Sequence, residues 1–83
     1  MLEAVIFTPK DILFKGQAKS VILPGEMGIF EILPFHKRIV SRLIKGNIDI
    51  DGQVFPIFRG IMKFDKNQAM IMVEQSPPSE HKQ

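Results

Sequence analysis

Residues 21–36 read VILPGEMGIFEILPFH, and this stretch carries most of the information about the fold. A strand-like run over residues 20–23 meets Pro24-Gly25, which predicts the end of a strand. Gly28 comes three residues later, an apolar segment ends at Leu33-Pro34, and His36 follows. Proline fixes φ and removes a donor, whereas glycine permits positive φ. These positions therefore close one strand and re-aim the next. The loop so formed holds Ile29, Phe30 and Phe35 near its tip. Side chains of that kind at a turn are either folded back into a core or offered to a partner.

Outward from this stretch, local pattern favours strands nearly throughout. Residues 3–7, 12–15 and 19–23 are short, β-branched or aromatic, and bounded by Thr-Pro, Gly and Pro-Gly. Residues 38–44 hold apolar positions at 39, 40, 43 and 44, a spacing that fits a helix as well as a strand. The segment is too short for most helices, so a strand is predicted. In residues 47–51, Ile48 and Ile50 alternate with Asn47, Asp49 and Asp51, giving one packed face and one wet face. Asp51-Gly52 suits a tight hairpin turn. The return strand over 54–58 contains Pro56, whose nitrogen must face an edge or a bulge. Residues 60–64 and 69–73 form a second hairpin around Asp65-Lys66-Asn67-Gln68. The prediction is all-β: a flattened antiparallel β-sandwich or barrel of about eight to ten short strands. One domain is expected over residues 1–74, with a polar, disordered tail over 75–83.

Composition bounds the function. Eighty-three residues with 45% apolar content make one small folded domain. It buries about 60–65% of the surface its unfolded chain exposes, so stability is modest or partner-assisted. There is no Cys, which excludes disulfides and thiolate metal sites. No apolar run reaches the ~20 residues needed to span a bilayer. No signal or transit segment is read at the start, so the chain is expected to be soluble where it is made. A net charge of +2 with scattered basic residues favours a solvated surface over a nucleic-acid interface.

The order of motifs resembles the amino-terminal β-sandwich of the epsilon subunit of F-type ATP synthases. The opening Val5-Ile6-Phe7-Thr8-Pro9 is followed by Ile12-Leu13-Phe14-Lys15-Gly16. Val21-Ile22-Leu23-Pro24-Gly25 comes in register, then Gly28 and Ile32-Leu33-Pro34-Phe35-His36, with weaker likeness through Lys45-Gly46 and Arg59-Gly60-Ile61. There are departures. Phe35 and Glu31 stand where Gly is usual, Ile29 where an acid is frequent, and Lys37-Arg38-Ile39 replaces Ala-Pro-Leu. The resemblance implies a non-catalytic rotor subunit, a divergent one, that binds the gamma subunit and the c-ring. By matching positions, Thr8 and His36 lie toward gamma, and Ile29 with Phe30 toward the c-ring. It further implies a peripheral subunit at the cytoplasmic side of a bacterial inner membrane, without cofactor. The regulatory carboxy-terminal helix pair of many epsilon subunits has no counterpart in this sequence, so a subunit reduced to its sandwich is expected.

The chemical candidates are thin. His36 and His81 are the only histidines, and His36 after Pro34-Phe35 suits hydrogen bonding or an interface better than metal ligation. Asp49 and Asp51 share an i, i+2 spacing beside a turn and are expected to be exposed, not paired in a pocket. Gly25-Glu26-Met27-Gly28 lacks the Lys-Ser/Thr ending of a phosphate loop. The apolar excess is more telling. Met62, Met70 and Met72, with Phe55 and Phe58, are read as core or as one sheet face that docks on a neighbour. A rival reading is a free-standing β-barrel module that binds single-stranded nucleic acid or a peptide, with Lys37, Arg38, Arg42 and Lys45 as a basic stripe beside Phe35.

Overall fold

The computed structural model describes residues 1–77, so residues 78–83 of the expected tail lie outside the described part. The described residues contain nine strands and no helix. In chain order they are β1 (Leu2–Phe7), β2 (Ile12–Ala18), β3 (Val21–Gly25), β4 (Gly28–Ile32) and β5 (Ile39–Leu43). The rest are β6 (Gly46–Ile50), β7 (Gln53–Ile57), β8 (Arg59–Asp65) and β9 (Gln68–Glu74). The predicted all-β class is what the structure shows.

A single sheet curls on itself in the order β2-β1-β9-β8-β5-β3-β6-β7, with β4 added beside β3. The bend falls between β5 and β3, which share only the pair Gly25↔Leu43, while β3 pairs with β6 at Val21 and Ile22. One layer is therefore β2-β1-β9-β8-β5 and the other β4-β3-β6-β7. At the open side, Phe14 of β2 meets Phe55 of β7 edge to face, with ring centroids 5.8 Å apart. Edge-to-face pairs add about 0.5–1.5 kcal/mol beyond their buried area, enough to favour closing the two free edges toward each other. All pairings among the described strands are antiparallel save one: β9 runs parallel to β1.

Pro24-Gly25 does not end its strand as expected. β3 runs through both residues, and the chain reverses at Glu26-Met27 instead. Pro24 stands between the pairing of β3 with β6 and its pairing with β5, so its missing N–H falls in a gap on that side of the ladder. Its carbonyl accepts from Ile44 N at 2.8 Å and pins the bend. Gly25 is needed for a different reason: a Cβ there would lie 2.6 Å from the Phe30 ring. The glycine thus lets Phe30 lean onto the core.

The other local readings fare better. Residues 39–43 form a strand, with Val40 and Arg42 exposed and Leu43 buried. Ile48 and Ile50 are buried, while Asn47 is exposed. Asp51 and Gly52 take φ of 50° and 92°, as a tight hairpin turn requires. Pro56 lies on β7, an end strand of the sheet path. The core between the layers is apolar, with Phe64, Leu2, Ile6, Leu23 and Met62 fully buried and no buried polar side chain among the described residues.

Strand directions sort the turns into two ends. Thr8–Asp11, Glu26-Met27, Ile44-Lys45 and Phe58 gather at one end. Met1, Lys19-Ser20, the 33–38 loop, Asp51-Gly52 and Lys66-Asn67 gather at the other. Asn67 ties the second end together. Its side chain accepts from Phe35 N at 2.8 Å and donates to Met1 O at 2.7 Å, while its carbonyl accepts from Glu3 N. It does so at φ 61°, a region Asn tolerates better than most residues. Asn67→Ala should therefore cost about 2 kcal/mol, from two lost hydrogen bonds and left-handed strain, whereas Asn67→Gly should cost about half of that. Urea denaturation of the two variants checks this, and equal losses would show that backbone strain contributes nothing.

Candidate partner interface

The sequence of β9, QAMIMVE, is apolar at five successive positions. A strand alternates its side chains, so a sheet covered on one face only should alternate apolar and polar residues. In β9 Ala69, Ile71 and Val73 point into the core and are buried. Met70 and Met72 point outward and remain 37% and 43% exposed. Met62, by contrast, is wholly buried. The three methionines thus divide between the two readings.

Register extends this outer surface across the layer. One row runs Lys15, Val5, Met70, Lys63, Val40. The next runs Ile12, Phe7, Met72, Ile61, Arg42. Val5 is buried and Phe7 half-buried in place, whereas Ile12, Ile61 and Val40 are exposed. The face is apolar with a cationic fringe. The outer surface of the opposite layer is different, carrying Glu31, Ile22, Asp49 and Val54 in one row.

Two shallow depressions cut the stripe at the Thr8 end. One of about 270 Å³ lies between Pro9, Met72, Ile61 and Arg42, and one of about 320 Å³ lies between Phe7, Thr8, Ile12 and Met70. The Arg59–Glu74 pair, at 2.7 Å, borders the first depression. Both partners are about half exposed, so the pair orders the rim more than it stabilises the fold.

Thr8 therefore sits on the border of the stripe. Its hydroxyl accepts from Lys10 N and Asp11 N at 3.1 and 3.0 Å and shapes the β1–β2 turn. His36 lies at the opposite end. Its ring meets Phe64 edge to face at 6.1 Å, and its Nδ1 is 2.7 Å from Lys37 O, which requires a proton on that nitrogen. The structure does not bring Thr8 and His36 together. Ile29, 79% exposed, and half-buried Phe30 are on β4 near the Glu26-Met27 turn, at the Thr8 end. Met27 at the tip of that turn is fully exposed.

The remaining candidates do not assemble into a site. Asp49 Oδ1 accepts from Gly52 N at 2.7 Å, and the Asp51 carboxylate accepts from Lys19 N and Ser20 N. Both acids are occupied in holding turns. Among the described residues no group of three or more His, Cys, Asp or Glu is placed to hold a metal. Nor is the basic stripe continuous, because Arg42 and Lys45 stand at the end away from Phe35. Arg38 and Arg42 lie 4.0 and 3.9 Å from Asp65 and Glu26.

Val40, Ile61 and Asn67 have places here that sequence reading did not assign. Ile61 and Val40 were readable only through strand register, but the two-faced apolar run of β9 was itself a signal. Comparison with known proteins agrees with the geometry. Residues 1–77 match the ATP synthase, delta/epsilon chain, β-sandwich domain. The chain is 39% identical over 84 residues to the ATP synthase epsilon chain of a Nitratiruptor species, covering 95% of this chain and 65% of that one. It is 36% identical over 74 residues to the ATP synthase epsilon chain of Campylobacter fetus, covering 83% and 57%. It thus spans about three-fifths of the length of these relatives. A chain of the central stalk and c-ring structure of the Tetrahymena thermophila mitochondrial ATP synthase shares the fold. The TM-score is 0.73 at 17% identity, over 87% of this chain and 62% of that one. With sequence, topology and relatives in accord, the chain belongs to the family of ATP synthase delta/epsilon β-sandwich domains.

Proposed function

We propose that the chain serves as a non-catalytic epsilon subunit in the rotor of an F-type ATP synthase, binding the gamma subunit and the c-ring. The observation that carries this reading is the outer stripe through Met70, Met72, Ile61 and Val40, an apolar sheet face that its own fold leaves uncovered. A sheet with one covered face should be polar on the other, so apolar residues in register across the outer face suit a partner, and methionine adapts to an irregular one. Gamma covers the stripe, with Thr8 at its border. The hairpin end that bears Ile29 and Met27 rests on the c-ring, and Phe30, held over Gly25, stiffens that hairpin from within. In this reading the domain transmits torque as a clamp and makes or breaks no bond, coupling ion translocation to ATP synthesis by contact alone. It works as a peripheral subunit at the cytoplasmic side of a bacterial inner membrane. No helix among the described residues is long and apolar enough to cross a membrane.

Two substitutions separate the two contacts. Met72→Glu places a charge in the middle of the stripe without touching the core. It should weaken capture by gamma about tenfold or more, since a buried unpaired charge is costly at an interface, while the thermal midpoint stays unchanged. Ile29→Asp should leave gamma capture intact and weaken retention on isolated c-ring. Pull-down titrations read both effects, and a variant that binds as tightly as the parent refutes the contact assigned to it.

A further inference from the structure

Phe35 is an exception to two rules at once. It is a bulky residue with φ 66°, a conformation that suits glycine, and it is 81% exposed. The conformation is uphill for a residue with a Cβ, and the ring recovers little core contact in return. What holds it is the hydrogen bond from its own N–H to Asn67 Oδ1, in a loop fixed to the first residues of the chain. Its backbone is therefore fixed before any partner arrives. Leu33 and Met1, both more than half exposed, flank it at the same end.

Two cations, Lys37 and Arg38, follow Phe35 and His36 in the loop, and Lys19 and Lys66 stand at the same end. The carboxylates there are Glu3, Glu31, Asp51 and Asp65: Asp51 is taken up by Lys19 N and Ser20 N, Glu31 by the Ser20 hydroxyl, and Asp65 lies 4.0 Å from Arg38. The loop also leads directly into β5, whose Val40 belongs to the outer stripe. The end and the stripe lie on the same side of the layer, separated by the polar row Gln17, Glu3, Gln68, Asp65.

We propose that Phe35 is a preorganised anchor that enters an apolar pocket rimmed by carboxylates on the gamma subunit. This rests on the rotor reading above and adds to it a residue and the chemistry of its receptor. The aromatic ring supplies area at low entropic cost because its backbone is already set, and the cationic fringe meets the acidic rim. His36, whose ring is engaged with Phe64 and Lys37, positions the loop and leaves the outward contact to its neighbour.

Phe35→Gly tests this with the fold protected, because glycine adopts the observed φ without strain. The chain and its variants are titrated against immobilised cognate gamma, and thermal melts are recorded in parallel. Phe35→Gly should melt no lower than the parent and bind gamma about tenfold or more weakly. Lys37→Glu with Arg38→Glu should slow association and flatten its dependence on salt. Undiminished gamma binding by Phe35→Gly overturns the anchor, and an unaltered salt dependence in the charge variant overturns the acidic rim. Failure of the parent chain itself to bind gamma is a separate result, and it removes the rotor reading along with the anchor.

Discussion

The structure depends on covering both faces of the β2-β1-β9-β8-β5 layer. The chain covers the inner face by curling, so that β3, β4, β6 and β7 close over Phe64, Met62, Ile6 and Ile71. A fully buried Phe or Leu contributes about 1.5–3 kcal/mol, and a domain of this size has only a modest total to spend. Every such residue is therefore on the inner face. None of the chain's own described elements covers the outer face, where Met70, Met72 and Ile61 stand across adjacent strands. The described strands thus cover one face of this layer and leave the apolar stripe on the other open to solvent.

The same economy explains the two ends. With strands of five to seven residues, the turns must be tight, and several take φ values that most residues avoid. Asp51, Lys66 and Asn67 all sit at positive φ. Asp51 and Asn67 offset that strain by accepting hydrogen bonds from distant backbone, Asp51 from Lys19 and Ser20, Asn67 from Phe35. These bonds tie the β2–β3 turn to the β6–β7 turn, and the β4–β5 loop to the β8–β9 turn, at one end. The other end relies on the Pro24–Ile44 bond and the Thr8 turn, and it leaves the Glu26-Met27 hairpin projecting.

Much of this was legible in the sequence, for reasons that differ by element. The alternation of Ile48 and Ile50 and the Asp51-Gly52 turn could be read because side-chain period and φ preference are local properties. Pro24-Gly25 misled for the opposite reason. Whether a proline ends a strand depends on which neighbour its nitrogen faces, and that is decided by the bend between β3 and β5. The resemblance groups Thr8 and His36 toward one partner, and the β1–β2 turn and the β4–β5 loop set them at opposite ends of the sandwich. The role of Asn67 was hidden because its partners come from elsewhere in the chain: Met1 by the parallel addition of β9 to β1, and Phe35 by the pairing of β5 with β8. Phe35 could be seen as an anomaly in the motif, but its left-handed φ could not.

Size argues that the stripe alone does not make a stable joint. Five strands about 4.8 Å apart and two rows of side chains about 7 Å apart give roughly 340 Å², of which the apolar positions make up roughly 200–300 Å². A stable protein–protein interface covers about 800 Å² on each partner, several times more. A partner held by this face must therefore reach beyond it, to the Arg42 and Lys63 fringe and to the turns at one end or the other. The end beyond Val40 offers an exposed aromatic side chain on a backbone held by Asn67, with Lys37 beside it, whereas the end beyond Met72 offers an ion pair that is already satisfied. A footprint that starts on the methionines and grows toward Phe35 gains more per added residue than one that grows the other way. That geometry also leaves the projecting Met27 and Ile29 hairpin free for a second neighbour, so one small sandwich can be gripped by two bodies without competition between them.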